Sequence, residues 1–394
     1  MTSEYDVNES LSKTETINQN EKQNKRCSDN SEDASMGQNK KMHMTANEAK
    51  KSIEAHDAQK SDQGSKYEDV TSKDYYFDSY SHYGIHEEML KDRVRTETYQ
   101  SAILNNPHLF KDKIVLDVGT GTGILSMFAC QAGAKHVYGI DMSNIIDQAK
   151  IIVKKNGFAD RITLIKGKVE EIELPVKEVD IIISEWMGYF LLYESMLDTV
   201  IFARDKWLVP NGLIFPDKAV LYLAAMEDAQ YKRDRIDFWN NVYGFDYSTI
   251  RDIAIREPIV DTIEGKSIVS DSVPILDIDI LTCTKESLSF QSQFCLTALR
   301  FDCVHGLVAY FECAFTQIPR PIGFSTSPLA CYTHWKQTLF YLEDTLHMTR
   351  GSQIYGRLTC KPNKKNNRDL DITISVKMNG EHTVVDKEYE YYLR

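Results

Sequence analysis

Residues 181–194 read IIISEWMGYFLLYE: three isoleucines, a serine, a glutamate, an aromatic turn and a second glutamate. The apolar run follows Val179-Asp180 and has the length and composition of a parallel strand buried on both faces. Glu185 therefore leaves the strand at its carboxyl end, the edge at which open α/β sheets bind ligands. Trp186, Met187, Gly188 and Tyr189 continue a strand poorly, and Leu191, Leu192 and Tyr193 read as the opening of a helix. A return after nine residues (194 minus 185) can bring Glu194 back beside Glu185.

Two carboxylates at short range repel, and an apolar site tolerates them only with a cation between them or a shared proton. Arginine is the fitting cation, because its planar fork matches paired carboxylates and its pKa above about 12 keeps it charged. A solvated surface explains poorly a glutamate set between three isoleucines and Trp186. The pair reads as a clamp for a guanidinium.

Toward the amino terminus, Ile114-Val115-Leu116-Asp117 precedes Gly119, Gly121 and Gly123. This predicts a buried strand, a tight glycine turn and a helix beginning near Ile124. Glycines let the backbone approach a ligand, and the helix amino terminus offers N–H donors to an anionic group. The spacing is G-x-G-x-G, with Asp117 inside the strand, and differs from the dinucleotide G-x-G-x-x-G. A second strand at 137–140 ends in Asp141, placed as an acid that bonds ribose hydroxyls. A third at 162–165 leads to Gly167, Val169 and Glu170. Four successive strand ends thus carry an acid at or near the tip: Asp117, Asp141, Glu170 and Glu185.

Residues 85–110 read as one helix, with Met89, Val94, Tyr99 and Ile103 among its apolar positions, up to a break at Asn106-Pro107. Residues 75–80 (YYFDSY) pack four aromatics into six positions and mark where order begins. Residues 1–73 lack Trp and Phe, are rich in polar residues and read as a disordered tail. After Gly212 the pattern becomes mainly β, with strands expected at 219–223, 275–280, 294–299, 308–315, 339–342 and 372–376, in a sandwich or barrel. Residues 226–247 interrupt them with an aromatic-rich helical excursion whose apolar surface exceeds what it can bury alone. A loop at 319–328 containing three prolines precedes Thr333-His334-Trp335.

The length of 394 residues allows two or three domains, and the net charge of −12 disfavours nucleic acid while suiting a basic partner. Eight cysteines without a C-x-x-C pair, and no hydrophobic signal segment, predict reduced thiols in cytosol or nucleus and no zinc site. No apolar run approaches the roughly 20 residues of a membrane span.

Asp117 with its glycine turn, Asp141, the glutamates around Trp186-Met187-Gly188, and Thr333-His334-Trp335 together resemble the protein arginine methyltransferases, closest to the type I enzymes. The resemblance runs from Tyr75 to Arg394. It implies an α/β fold: a class I, Rossmann-like, S-adenosylmethionine-dependent methyltransferase domain (74–215) followed by a β-barrel domain (216–394) with a helical dimerisation arm (226–247). It implies S-adenosylmethionine as methyl donor, no metal, and mono- and asymmetric dimethylarginine as product. The implied substrates are histones and Gly-Arg-rich RNA-binding proteins, met in cytoplasm and nucleus by a homodimer or higher oligomer that contacts neither nucleic acid nor membrane.

Carried onto this chain, the resemblance places Asp117, Gly119 and Gly121 beside the amino acid end of the donor, with Arg95 on its carboxylate. Asp141 takes the ribose hydroxyls, Val169 and Glu170 face the adenine, and His86, Glu185 and Met196 complete that site. Tyr76, Phe77, Tyr80, His86 and Met89 belong to a helical lid. Glu185 and Glu194 hold the target guanidinium, Tyr80, Met89, Met187 and Trp335 shape substrate access and product type, and His334 pairs with Asp92 in removing a proton. Related enzymes usually carry glutamate at the position of Asp141, so one ribose hydrogen bond is expected to lengthen here. Two other readings stay open on the residues alone: methylation of a nucleobase amine or small molecule, and a scaffold without catalysis. Nucleobase-type sites usually show an Asn/Asp-Pro-Pro-aromatic segment where this chain has Ser184-Glu185-Trp186-Met187.

Overall fold

The structure is a computed structural model and describes residues 80–394. The expected tail at 1–73 and the lid residues Tyr76 and Phe77 lie outside the described residues. Five parallel strands, β1 (Ile114–Val118), β2 (His136–Asp141), β3 (Ile162–Lys166), β4 (Val179–Ser184) and β5 (Leu208–Phe215), form a sheet in the order β3-β2-β1-β4-β5. The order reverses between β1 and β4, which creates the crevice where such sheets bind ligands. Register pairs Val118 with Ser184, so Gly119 and Glu185 leave the sheet side by side.

Helices α1 (Tyr83–Lys91), α2 (Arg93–Leu104) and α3 (Pro107–Phe110) precede the sheet. The single helix expected over 85–110 is broken at Asp92, whose backbone is extended (φ −68°, ψ 94°). Its carboxylate accepts the Arg95 N–H at 3.0 Å, so aspartate acts as an N-cap and restarts the helix. The helical opening expected at Leu191–Tyr193 is also corrected. Phe190, Leu191, Glu194 and Ser195 all have positive φ, incompatible with a right-handed helix, and the next helix, Met196–Trp207, starts only after them.

The second half is an antiparallel barrel. One sheet runs β7 (Ile259–Asp261), β12 (Gln337–Met348), β10 (Asp302–Phe315), β6 (Lys218–Met226), β8 (Ile268–Asp279), with β11 (Ile322–Ser325) on β10. The other runs β15 (Val384–Leu393), β14 (Leu370–Asn379), β13 (Gln353–Pro362), β9 (Phe290–Thr297). A continuous core joins barrel and parallel sheet through Tyr99, Phe215 and Phe315, with Tyr99 edge-on to Phe315 at 5.0 Å.

The excursion after β6 is longer than 226–247. Short helical turns at Ala229–Tyr231, Lys232–Ile236 and Asp237–Asn240 are followed by a helix at Ser248–Ala254 before β7. Its root is fixed: Tyr341 donates to Asp228 at 2.7 Å, Lys232 Nζ donates to the Glu343 carbonyl at 2.9 Å, and Ile236 and Ile255 are buried against Met226 and Tyr341. Its tip is open, with Tyr243 96% and Phe245 69% exposed. Among the described residues no helix is long and apolar enough to cross a membrane, and no group of three or more His, Cys, Asp and Glu is placed to hold a metal.

Candidate active site

Glu185 leaves β4 at a nearly buried position and does not stand alone. Arg95 Nε donates to Glu185 Oε2 at 3.0 Å, and their side chains are only 7% and 10% exposed. Arg95 Nη1 is further tied to the Met89 carbonyl and to Thr96 Oγ1, each at 3.0 Å. Arg95, which the resemblance sets on the carboxylate of the donor, here directs its Nε to Glu185. A buried charge needs such a partner, because desolvation of either group alone is unfavourable by several kcal/mol.

The second glutamate receives the Tyr80 hydroxyl on Oε2 at 3.0 Å. The carbonyl of Tyr80 lies 2.8 Å from His86 Nε2. The His86 ring in turn packs on the glycine turn, 3.4 Å from where a Cβ on Gly121 would sit. Half-buried Met89 follows on the same helix. Tyr80, His86 and Met89 thus belong to one segment laid over the crevice.

His334 Nδ1 lies 2.7 Å from Asp92 Oδ2. Burial pushes the Asp92 carboxyl up, but hydrogen bonds from the His334 ring and from the N–H groups of Arg95 and His334 outweigh it and hold the carboxyl below its usual range. The adjacent Trp335 donates from Nε1 to the Met187 carbonyl at 2.7 Å and stacks on Phe324 at 5.3 Å. On the other side Tyr99 donates to the Ser184 carbonyl at 2.9 Å. The segment from Ser184 to Met187 is therefore gripped between α2 and the barrel.

Gly119, Gly121 and Gly123 take φ of 73°, 54° and 85°, and a Cβ on Gly119 would lie 2.2 Å from Met196 Cε. Asp117 is fully buried beneath this turn. Its Oδ2 accepts from Thr120 Oγ1 at 2.8 Å and Ser126 Oγ at 2.7 Å, whereas the buried Oδ1 has no protein hydrogen-bond partner among the described residues. Burial raises its carboxyl to about 6, helped by the charge of Asp141 and opposed by the two hydroxyls. Asp141 Oδ2 accepts the Gly121 N–H at 2.8 Å, and Oδ1 accepts from Ser143 N and Oγ at 2.8 and 2.6 Å. It braces the turn as well as ending β2. Val169 is buried and Glu170 exposed on one turn, where Glu170 accepts from Thr199 at 2.7 Å.

An orphaned buried carboxylate oxygen under a glycine turn, with a second acid at the next strand tip, suits a ligand bearing an ammonium and vicinal hydroxyls, as S-adenosylmethionine does. Tyr99, Thr120, Ser143 and Gly139 also build this site and are not evident from motif reading. Gly139 carried a signal, since glycine inside a strand marks close approach, and here a Cβ would meet Thr120 Oγ1 at 2.8 Å.

Residues 115–212 match the model of a methyltransferase domain, and residues 217–381 match that of the arginine methyltransferase oligomerization subdomain. The chain is 61% identical to protein arginine N-methyltransferase 1 of Chlamydomonas reinhardtii over 83% of its own length and 94% of that protein. It is 60% identical to protein arginine N-methyltransferase 1 of Schizosaccharomyces pombe, over 79% and 91%. Among solved structures it resembles the Trypanosoma brucei PRMT1 enzyme-prozyme heterotetrameric complex with AdoHcy, with TM-score 0.79, 48% identity, and coverage of 80% of this chain and 100% of that one. With this sheet order, these acids at the strand tips and these relatives, the chain belongs to the protein arginine N-methyltransferase family, enzymes that methylate arginine with S-adenosylmethionine.

Proposed function

We propose that this enzyme makes mono- and asymmetric dimethylarginine in basic protein segments such as histone tails and Gly-Arg-rich RNA-binding proteins, in cytoplasm and nucleus, and works as a homodimer or larger assembly. The observation that carries the reading is the charge arrangement at Glu185 and Glu194. Glu185 already bears Arg95, so these three side chains hold one net negative charge, which an incoming guanidinium brings to zero. The overall charge of −12 supports a basic substrate.

S-adenosylmethionine, when bound, supplies an electrophilic methyl whose bond to sulfur breaks, the electron pair staying on sulfur, as the new carbon–nitrogen bond forms. The chain's own task is the nucleophile. Glu185 and Glu194 draw guanidinium charge toward two nitrogens and leave lone-pair character on the third, and fixing that nitrogen in line contributes several kcal/mol, roughly, through proximity and preorganised charge. The proton lost from the methylated nitrogen leaves through Glu185, with His334, oriented by Asp92, as the second route. Asp117 and Asp141 hold the ammonium and ribose of the donor, with Gly119, Gly121, Val169, Glu170 and Met196 around them.

Asymmetric product follows from Met89, an unbranched, pliable side chain that leaves room for an already methylated nitrogen. The exposed tip of the excursion around Tyr243 supports assembly through that arm, since large apolar patches mark interfaces. Methyl transfer from labelled donor to a Gly-Arg-rich peptide, with mass spectrometry of the product, tests the proposal. Only symmetric dimethylarginine, or no transfer, would refute it. Met89→Phe is expected to shift the product distribution.

A further inference from the structure

Glu194 holds a backbone conformation that its own loop does not explain. Its φ is 76°, Ser195 beside it is at 55°, and Phe190 and Leu191 are at 51° and 64°. Residues other than glycine keep such angles only where the surroundings over-determine them. The buried side chains of Phe190 and Leu191 fix the start of the loop, but packing does not fix its end, where a cavity of about 250 Å³ lies among Leu191, Leu192, Ser195, Pro362 and Leu370.

Hydrogen bonds from the turn between β13 and β14 do. The Glu194 N–H donates to the Arg368 carbonyl at 2.9 Å, and Arg368 Nη1 donates to the Glu194 carbonyl at 2.7 Å. One residue thus closes a ring on both backbone polar groups of Glu194. Next to it, Ser195 Oγ donates to the Asn367 carbonyl. The turn itself is knotted: Asn363 Oδ1 accepts the N–H groups of Lys365 and Asn366 at 2.8 and 3.2 Å, its Nδ2 reaches Asp371 at 3.0 Å, and Asn366 Nδ2 donates to Asp369 at 2.8 Å. A rigid turn of the barrel therefore grips the loop of the methyltransferase half.

We infer that Arg368 is a positioning residue for methyl transfer, which sets the Glu194 carboxylate by clamping the backbone of Glu194 to the β13–β14 turn. The inference rests on the assignment of Glu194 to the guanidinium clamp. Without the clamp the end of the loop can relax toward negative φ over its cavity, swinging the carboxylate away from the guanidinium while the donor contacts built on β1 and β2 stay in place. A merely structural arginine would instead lower stability and impair every step alike.

The test uses the full chain and the variants Arg368→Ala, Arg368→Lys, Ser195→Ala and Glu194→Gln, alone and with Glu194→Gln as background. Steady-state transfer to a Gly-Arg-rich peptide, calorimetric binding of S-adenosylhomocysteine and thermal melting are measured on each. Arg368→Ala is expected to lower kcat by about tenfold or more with S-adenosylhomocysteine affinity within about twofold, since a misplacement near 1 Å is that harmful to an oriented reaction. Arg368→Lys, which keeps one donor, restores part of the loss. In the Glu194→Gln background, replacing Arg368 should change kcat by less than about twofold, the non-additivity of residues acting through one another.

A full loss retained in that background, or an unchanged kcat in Arg368→Ala, overturns the inference. If Glu194→Gln itself turns over normally, the clamp assignment falls and takes this inference with it. An inactive Glu194→Gln beside a normal Arg368→Ala overturns this inference alone. Should Arg368→Ala not fold, Arg368→Lys and Ser195→Ala carry the same comparison, and a loss of kcat that persists in the Glu194→Gln background rejects the role.

Discussion

One carboxylate oxygen of Asp92 meets His334 twice: Oδ2 lies 2.7 Å from the ring Nδ1 and accepts the backbone N–H at 2.9 Å. An ionised carboxylate only accepts, so Nδ1 carries a proton and Nε2 is the nitrogen left to act. The other oxygen, Oδ1, caps α2 through the Arg95 N–H. The orientation of the histidine and the start of the helix that carries Arg95 therefore depend on one side chain.

Asp92→Ala should cost about 1 kcal/mol for the lost cap and about 1.5–3 kcal/mol for the charged hydrogen bonds, and should depress turnover. Because the folded carboxyl titrates below its ordinary 3.8, its contribution is fully present above that pH and is lost as pH falls through the lower folded value. Urea denaturation should show the gap between wild type and Asp92→Ala largest near neutrality and shrinking in acid. A gap constant with pH would count against the assignment.

Glu185→Gln should lower turnover by about two orders of magnitude or more, as for an interaction made mainly in the transition state. It also leaves Arg95 buried without its counter-charge, so melting temperature should fall. Combining it with Arg95→Met should recover stability but not turnover. Recovery of both would mean that Glu185 is a structural partner of Arg95 and nothing more.

Asp141→Ala should weaken S-adenosylhomocysteine binding by about 1–3 kcal/mol through loss of hydrogen bonds to a charged acceptor. The variant also frees the Gly121 N–H that Asp141 holds at 2.8 Å, so hydrogen exchange at the glycine turn should accelerate. Calorimetry with unchanged affinity would reject the ribose assignment.

Asp117 carries the opposite linkage. Its folded carboxyl is raised from 3.8 to about 6, so its charged form destabilises the free protein, and stability attributable to this site falls as pH rises through that interval. Asp117→Asn should melt no lower than wild type at pH 8 while binding S-adenosylhomocysteine more weakly. Equal affinity in the variant would show that the buried oxygen does not face the ligand.

Tyr243→Asp combined with Phe245→Asp alters the open tip of the excursion and leaves its anchored root intact. The double variant should melt near wild type yet scatter light as a monomer with reduced transfer. An unchanged mass would remove this tip from the assembly interface.

The first four strands of the parallel sheet were legible because each is a short apolar run, and the acids at their tips followed from where those runs stop. β5 was not among the expected strands, since Pro210, Asn211 and Gly212, residues of turn type, lie inside it. β15 escaped because Asp386, Glu388 and Glu390 fill its outward face and Lys387 interrupts an inward face that otherwise holds Val385, Tyr389 and Tyr391. Leu191–Tyr193 read as the opening of a helix, whereas local bonds such as Gly188 N–H to the Leu191 carbonyl, the burial of Phe190 and Leu191, and the long-range bonds of Glu194 to the β13–β14 turn hold the loop at positive φ.

By itself, the order of residues determined what local chemistry can determine: which segments are buried strands, which turn needs glycine, and which acids stand at the ligand edge. It could not pair Arg95 with Glu185 across 90 residues or Arg368 with Glu194 across 174, and it paired Asp92 with His334 across 242 only through the family resemblance. Those contacts exist because β1 and β4 are neighbours in the sheet and the barrel packs back on the crevice, so only the tertiary structure decided which charges meet.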